Sequence, residues 1–271
     1  MPMIYDSAKR INPAIDEIKE IIRYRDLVAL LAKRDITTRY KRSVLGVAWT
    51  MINPLGMMLI LTIAFSQLFK DVPGYPAYIL SGLIVWQFFS QTTTAAMVNL
   101  VWGGGLLHRI YLPRTSFALA AILTGLTNLL LTFIPLMILI LIIGLPLRIS
   151  LVFVPIPILF LAAFSLGLGL LMSTFAVYFP DVAEMYQIGL TAWMYLTPIF
   201  YPERILPEKI GWFITRFNPV YHLVRLFRAC IYEGRFPYWN EVWPAMVFSM
   251  VILVVGWTVF SQKADEFSYR I

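Results

Sequence analysis

The chain has 271 residues, of which 59% are hydrophobic and only 14% charged, with a formal net charge of +7 and a mean hydropathy of +0.75. An average soluble domain carries about 25% charged residues, so this composition excludes an ordinary soluble fold and predicts a chain held in a membrane. The single cysteine, Cys230, excludes an intrachain disulfide, and His108 and His222 lie too far apart in sequence to suggest a metal cluster; both read as structural.

Residues 1–42 hold ten Lys and Arg ahead of any apolar stretch, too long and too charged for the start of a signal peptide. Ile15, Ile18 and Ile22 recur at helical spacing there, continued by Leu27, Leu30 and Leu31, which predicts one amphipathic helix over 13–36. Such a helix either lies along the cytoplasmic membrane surface or packs on a soluble partner. Arg39, Tyr40, Lys41 and Arg42 follow, where long basic side chains reach phosphate headgroups.

Six stretches without Asp, Glu, Lys or Arg come next, at 43–69, 72–108, 115–147, 149–180, 185–202 and 242–262. Each approaches or exceeds the roughly 20 residues that cross a bilayer as a helix, the form that satisfies its own backbone in hydrocarbon. The fold class expected is an all-α integral membrane protein with six transmembrane helices over 43–262, a cytoplasmic interface segment at 1–42 and a cytoplasmic tail at 263–271. With both termini on the cytoplasmic side, cytoplasmic segments carry 14 of the 22 basic residues. Six more sit in the external segment 203–241, diluted by its length and by four acids. Asn53-Pro54 predicts a kink inside the first span.

Between the second and third stretches, three glycines at 103–105 and the basic residues Arg109 and Arg114 predict a sharp, acid-free turn. No Gly-Lys pair exists in the chain, so the phosphate-cradling loop of a nucleotide site is absent. Asp181 and Glu184 have the spacing of a capping box for the fifth span. Within the external segment 203–235, two short helices are expected at 205–217 and 220–232, separated by Asn218-Pro219, dipping into the outer leaflet as a lid. Arg225 and Arg228 lie off the apolar face of the second and either meet a pyrophosphate or anchor to headgroups.

Aromatic residues recur at helical spacing: Tyr75, Tyr78, Trp86 and Phe89 on the second span, Tyr186 and Trp193 on the fifth, with Trp49 at the start of the first. Their faces either stack on sugar rings or serve as interfacial belt and helix packing.

The run Arg39-Tyr-Lys-Arg-Ser43-Val-Leu45-Gly46-Val-Ala-Trp49 with Asn53-Pro54 resembles the start of membrane subunits of ABC exporters for lipid-linked polysaccharides. Tyr178-Phe-Pro-Asp181-Val, Thr197-Pro198-Ile-Phe-Tyr201 and Phe217-Asn-Pro219-Val-Tyr221 match further landmarks of that family in order, over nearly the whole chain. One departure is Pro180, where the family usually carries Arg before the Asp. The resemblance implies the permease half of a type-2 ABC exporter in the bacterial inner membrane: a homodimer with two copies of a cytoplasmic ATPase, which holds the ATP and Mg. The cargo implied is an O-antigen, capsular or teichoic acid type glycan on a polyprenyl pyrophosphate or similar lipid. No cofactor, catalytic residue, metal or nucleic acid belongs to this chain in that reading. Arg39, Lys41, Arg42, His108, Arg109 and Arg114 would face the ATPase. Trp49, Tyr75, Tyr78, Trp86, Phe89, Tyr186 and Trp193 would line a glycan passage between the two copies. Rival readings are a permease for a drug, peptide or small hydrophobic molecule, and a membrane-embedded glycosyltransferase or acyltransferase.

Overall fold

The computed structural model describes residues 13–41, 43–101, 113–145 and 148–269. Ten α-helices fill the described residues. The amphipathic segment is two helices, α1 (Pro13–Arg23) and α2 (Arg25–Tyr40), because the chain turns at Tyr24 (φ −102°, ψ 22°). The expected single helix over 13–36 is corrected accordingly. The turn lets α1 and α2 dock on different elements, α1 against the last long helix and α2 against the third.

Helices α3 (Ala48–Phe65) and α4 (Tyr75–Val101) follow, Pro54 lying inside α3 without ending it. Helix α5 (Thr115–Ile143) stops at Gly144, whose left-handed φ of 79° turns its N–H onto the Ile140 and Leu141 carbonyls. A 3₁₀ turn (Ile149–Phe153) leads into α6 (Pro155–Tyr178), opened by a proline that needs no N–H partner. Helix α7 (Val182–Leu196) ends because Pro198 disfavours helical geometry at Thr197, which is extended at φ −99° and ψ 131°. A short 3₁₀ turn (Glu203–Ile205) precedes α8 (Glu208–Phe217) and α9 (Pro219–Ile231). The Asn218 side-chain oxygen accepts from Val220 N–H (3.1 Å) and Tyr221 N–H (3.3 Å), so Asn218 ends one helix and caps the next. Helix α10 (Trp239–Lys263) completes the bundle, followed by a 3₁₀ turn (Ala264–Tyr269).

Helix α4 is the centre: 17 of its 27 residues are buried, against α3, α5, α6, α7 and α9. The closest helix pair is α6 with α10. There Gly167 and Gly256 meet backbone to backbone; a Cβ on Gly256 would lie 1.9 Å from the Gly167 carbonyl oxygen. At one end of the bundle the Trp257 indole donates to Ala14 O (3.2 Å), and Thr115 bonds Glu17 of α1. Both described termini are at this end, since Tyr178 of α6 bonds Glu266. At the other end Asp71 pairs with Arg204, and Ser150 bonds Cys230 O (2.9 Å).

Among the described residues, four helices are long and apolar enough to cross a membrane: α3, α5, the stretch Ile149–Tyr178 that ends as α6, and α10. The expectation of six differs at two places. Helix α4 is long enough, but its second half spends Gln87, Ser90, Gln91, Thr92, Thr93 and Thr94 among apolar residues. Helix α7 has 15 residues, about 22 Å at 1.5 Å per residue, short of the ~30 Å hydrocarbon core. Helices α3 and α7 are also the least covered: Leu59, Ile60 and Ile63 of α3 and Met185 and Ile188 of α7 are exposed.

Candidate translocation site

The polar residues of α4 border two cavities. The first, of about 610 Å³, lies between the end of α2, α3, α4 and α5, with Trp49, Asn53, Gln87, Gln91, Asn128 and Thr132 in its wall. The second, of about 580 Å³, lies between α4 and α7 and is walled by Trp86, Ser90, Gln91, Thr94, Gln187 and Thr191. Gln91, Ala95 and Asn99 belong to both. Gln187 donates to Thr94 Oγ1 (3.1 Å) across the second cavity. Asn99 donates to Asp35 (3.3 Å) at the floor of the first, where Arg34 also pairs with Asp35 (2.9 Å). Helix α4 therefore presents an amide- and hydroxyl-bearing face to both cavities inside an otherwise apolar bundle.

The aromatic residues singled out in the sequence fall into two groups. Trp49, 49% exposed, and Trp86 border the first and second cavities respectively. The remainder face the protomer's own interior. Phe89 packs edge-on against Trp86 (5.4 Å) and Trp193 (5.3 Å) and tilted against Phe164 (5.5 Å). The Trp193 indole donates to Asn218 Oδ1 (2.9 Å), and the Tyr186 hydroxyl donates to Thr93 Oγ1 (2.7 Å).

Tyr75, Tyr78 and Arg228 serve the irregular chain that follows α7. Residues 197–201 are buried and not helical, so their carbonyls lack the partners a helix would give. Arg228 donates to Pro198 O (2.8 Å) and Ile199 O (2.5 Å), Tyr75 to Phe200 O (2.6 Å), and Tyr78 to Tyr201 O (3.0 Å). Asn218 adds a bond to Thr197 Oγ1 (2.9 Å). Arg228 further donates to Tyr78 O (3.1 Å) and Ser81 Oγ (3.4 Å), with its guanidinium 3.6 Å from the Tyr78 ring centre. Its donors are thus directed at protein acceptors.

Arg225 is engaged as well, donating to Glu203 (2.9 Å) and Glu241 (3.1 Å). Glu241 also accepts from Arg235 (2.6 and 2.7 Å) and from Tyr238 N–H (2.9 Å). The bond to Glu241 is the main reason that the Arg235 pKa stands above the usual guanidinium range. The Arg204 guanidinium bonded to Asp71 likewise holds that carboxyl below the usual carboxylate range. Helix α9 is therefore clamped, whereas α8 keeps Ile210, Trp212, Phe213 and Phe217 exposed.

At the end that carries the termini, Lys41 is exposed and Arg114 lies 5.6 Å from the Phe267 ring centre. Arg42, His108, Arg109 and the glycine turn lie outside the described residues, as does the side chain of Arg39. The capping box expected at Asp181 and Glu184 is corrected: Asp181 has helical angles (φ −62°, ψ −18°) and makes no capping hydrogen bond. In that conformation the carboxylate does not reach across the first free N–H groups, and both acids are exposed.

Sequence reasoning by aromatic content passed over Asn53, Gln87, Gln91, Thr94 and Asn128. The signal was present, since Gln87, Gln91 and Thr94 follow one helix face at spacings of four and three inside an uncharged stretch.

The ABC-2 type transporter profile matches residues 26–232. The chain is 26% identical to the O-antigen export system permease protein RfbA of Klebsiella pneumoniae, over 90% of this chain and 94% of the relative. It is also 26% identical to the protein of that name from Myxococcus xanthus, over 94% and 98%. The polysialic acid transport protein KpsM of Escherichia coli is 24% identical over 88% and 93%. A profile spanning most of the chain, on a multi-pass bundle whose central helix carries a polar face, places this chain in the ABC-2 type transporter family, as a membrane permease component rather than an enzyme.

Proposed function

We propose that this chain is the permease subunit of an ATP-driven exporter of lipid-linked polysaccharide, acting from the cytoplasm to the outer face of the bacterial inner membrane. The observation that carries the reading is the amide and hydroxyl face of α4, flanked by α3 and α7. A path lined by such groups suits a polyhydroxylated cargo better than an apolar one. The relatives named for O-antigen export and for polysialic acid transport point the same way. The exposed apolar sides of α3 and α7 suit a second copy, so that two chains enclose the passage, with α4 crossing the bilayer and α7 reaching through it with residues 197–202.

The termini, and with them α1 and α2, face the cytoplasm in this reading. Two copies of a separate ATPase bind ATP and Mg and push on α1, α2 and the basic residues Lys41 and Arg114, with Arg39, Arg42, His108 and Arg109 on the same side. Because α2 packs on α5 and α1 on α10, displacement of either moves a long helix as a rigid body. Among the described residues, Ile15, Ile18 and Ile22 are exposed while Glu17 is buried, so the apolar stripe of α1 is free to rest in the lipid interface. Helix α8 forms the outer lid, with its aromatic face in the outer leaflet; Arg225 and Arg228 hold α9 in place rather than meeting pyrophosphate.

The test is deletion of the gene in its host, followed by staining of cell-surface polysaccharide. Loss of the surface polymer, restored by the wild-type chain and at least tenfold less by Gln91→Leu at equal membrane abundance, is expected. Unchanged surface polymer in the deletion strain overturns the proposal.

A further inference from the structure

The first cavity has a chemistry of its own. Along α4 it runs from Ile84 to Asn99, about 22 Å at 1.5 Å per residue, more than half of the ~30 Å hydrocarbon core. Its volume of about 610 Å³ falls in the ~300–1,000 Å³ range of small-molecule sites. The side-chain amides of Asn53, Gln87, Gln91 and Asn128 point to it from three helices and make no hydrogen bond to the described protein. Each such amide presents two donors and an acceptor. Asn53 and Gln91 are exposed and Gln87 and Asn128 half-buried in the chain by itself; within a bilayer, away from bulk water, such amides favour an occupant that both donates and accepts, water or a polyhydroxylated ligand.

Charge narrows the occupant further. Among the described residues Asp35 is the one ionisable residue in the lining, and it is already bonded to Asn99 and Arg34. Among the described residues no Lys or Arg lines the cavity, and Arg34 at its floor is already paired with Asp35, so the described wall offers the pyrophosphate of a lipid carrier no free cation. Trp49 adds a half-exposed aromatic face at the cytoplasmic mouth, of the kind that packs on the C–H face of a sugar ring.

We infer that this cavity between α3, α4 and α5 is a saccharide subsite: it holds sugar units of the cargo by paired amide-to-hydroxyl hydrogen bonds, apart from the pyrophosphate. It deepens the polysaccharide reading and rests on it. The subsite is walled by one protomer; it shares Gln91, Ala95 and Asn99 with the second cavity but opens between α3, α4 and α5 rather than toward α7, so each copy would carry its own.

The experiment places the photo-crosslinker p-benzoylphenylalanine at residue 128, or at residue 134 as control, in the full chain co-expressed with its ATPase in the host. Ile134 is on the same helix, exposed, and absent from the cavity wall. After irradiation the chain is purified under denaturing conditions and stained for carbohydrate with periodate and hydrazide. The expected result is a carbohydrate-bearing adduct at 128, at least tenfold above that at 134, reduced to the control level by Asn53→Leu/Gln91→Leu. If residue 128 instead crosslinks a second copy of the chain, the cavity is a subunit contact and the inference falls. Adducts of phospholipid alone, or equal carbohydrate at both positions, in a host whose deletion strain lacks surface polymer, overturn the subsite and leave the export reading standing. Because a bulky residue at 128 can disturb assembly, Asn128→Leu is measured in parallel for co-purification with the ATPase and for export. Wild-type export by a normally assembled Asn128→Leu/Gln91→Leu chain also overturns the subsite.

Discussion

Gly82 and Arg228 occupy one space: a Cβ on Gly82 would lie 2.6 Å from Nη2 of Arg228 and 3.1 Å from the carbonyl oxygen of Ile199. The glycine on α4 is the room in which the guanidinium of α9 reaches the broken chain after α7.

Removing the guanidinium strands the carbonyls of Pro198 and Ile199 in a buried setting. Arg228→Leu should therefore lower stability by about 3 kcal/mol, with Arg228→Lys intermediate because a point ammonium cannot serve both carbonyls and Ser81 as a planar fork does. Gly82→Ala should cost about 1–2 kcal/mol by overpacking the same spot. Thermal denaturation of the detergent-purified chain, followed by size exclusion, reads all three. Wild-type melting by Arg228→Leu with lost export would instead assign Arg228 to the cargo.

The α6–α10 crossing gives a harsher expectation. Gly167 and Gly256 leave no volume for any side chain, since a Cβ on Gly167 would stand 2.4 Å from Ile252 O. Gly256→Leu should abolish accumulation in the membrane, and Gly256→Ala should lower the melting temperature markedly. Quantitative blotting of membranes checks the first. Normal accumulation of Gly256→Leu would mean that the two helices are further apart than described.

Two capping positions separate cleanly. Asn218 accepts from two backbone N–H groups and the Trp193 indole and donates to Thr197. Asn218→Ala should cost about 2 kcal/mol, the upper end for a cap because the site is buried. Asp181 makes no capping bond and is exposed, so Asp181→Ala should change stability by no more than about 0.5 kcal/mol. Equal losses at the two positions, measured in the same melting assay, would restore the capping role to Asp181.

The exposed isoleucines of α1 give a prediction about location rather than folding. Ile18→Asp/Ile22→Asp should leave melting within about 0.5 kcal/mol of wild type, because both side chains are exposed. The same variant should make α1 accessible to protease in inside-out vesicles. Unchanged protection would mean that a partner, not lipid, covers the stripe.

Helix positions were largely legible, because charge-free stretches and the Asn218-Pro219 pair mark where spans and short helices begin and end. What was not legible concerns partners across the bundle. Spacing shows that Tyr75, Tyr78, Phe89 and Trp193 repeat along helices, but not that their faces turn into their own protomer, where they meet residues more than 20 positions away. The turn at Tyr24 carries no glycine or proline to announce it. The polar face of α4 was readable in principle, yet aromatic content drew attention from the amides. Asp181 followed a capping spacing that its backbone angles do not honour.

The irregular chain after α7 also imposes an order on assembly. Thirty residues separate Pro198 from the guanidinium that satisfies its carbonyl, and Tyr75 and Tyr78 were made long before either. As the chain leaves the ribosome, the break emerges with Tyr75 and Tyr78 waiting and with Asn218 and Arg228 still unmade. The carbonyls of Pro198 and Ile199 must hold water until α9 arrives, so the end of α7 cannot settle on synthesis of its own sequence alone. The dehydration of this end of the bundle is then a late, single event, completed when α9 drops onto α4 and Arg228 enters the space beside Gly82.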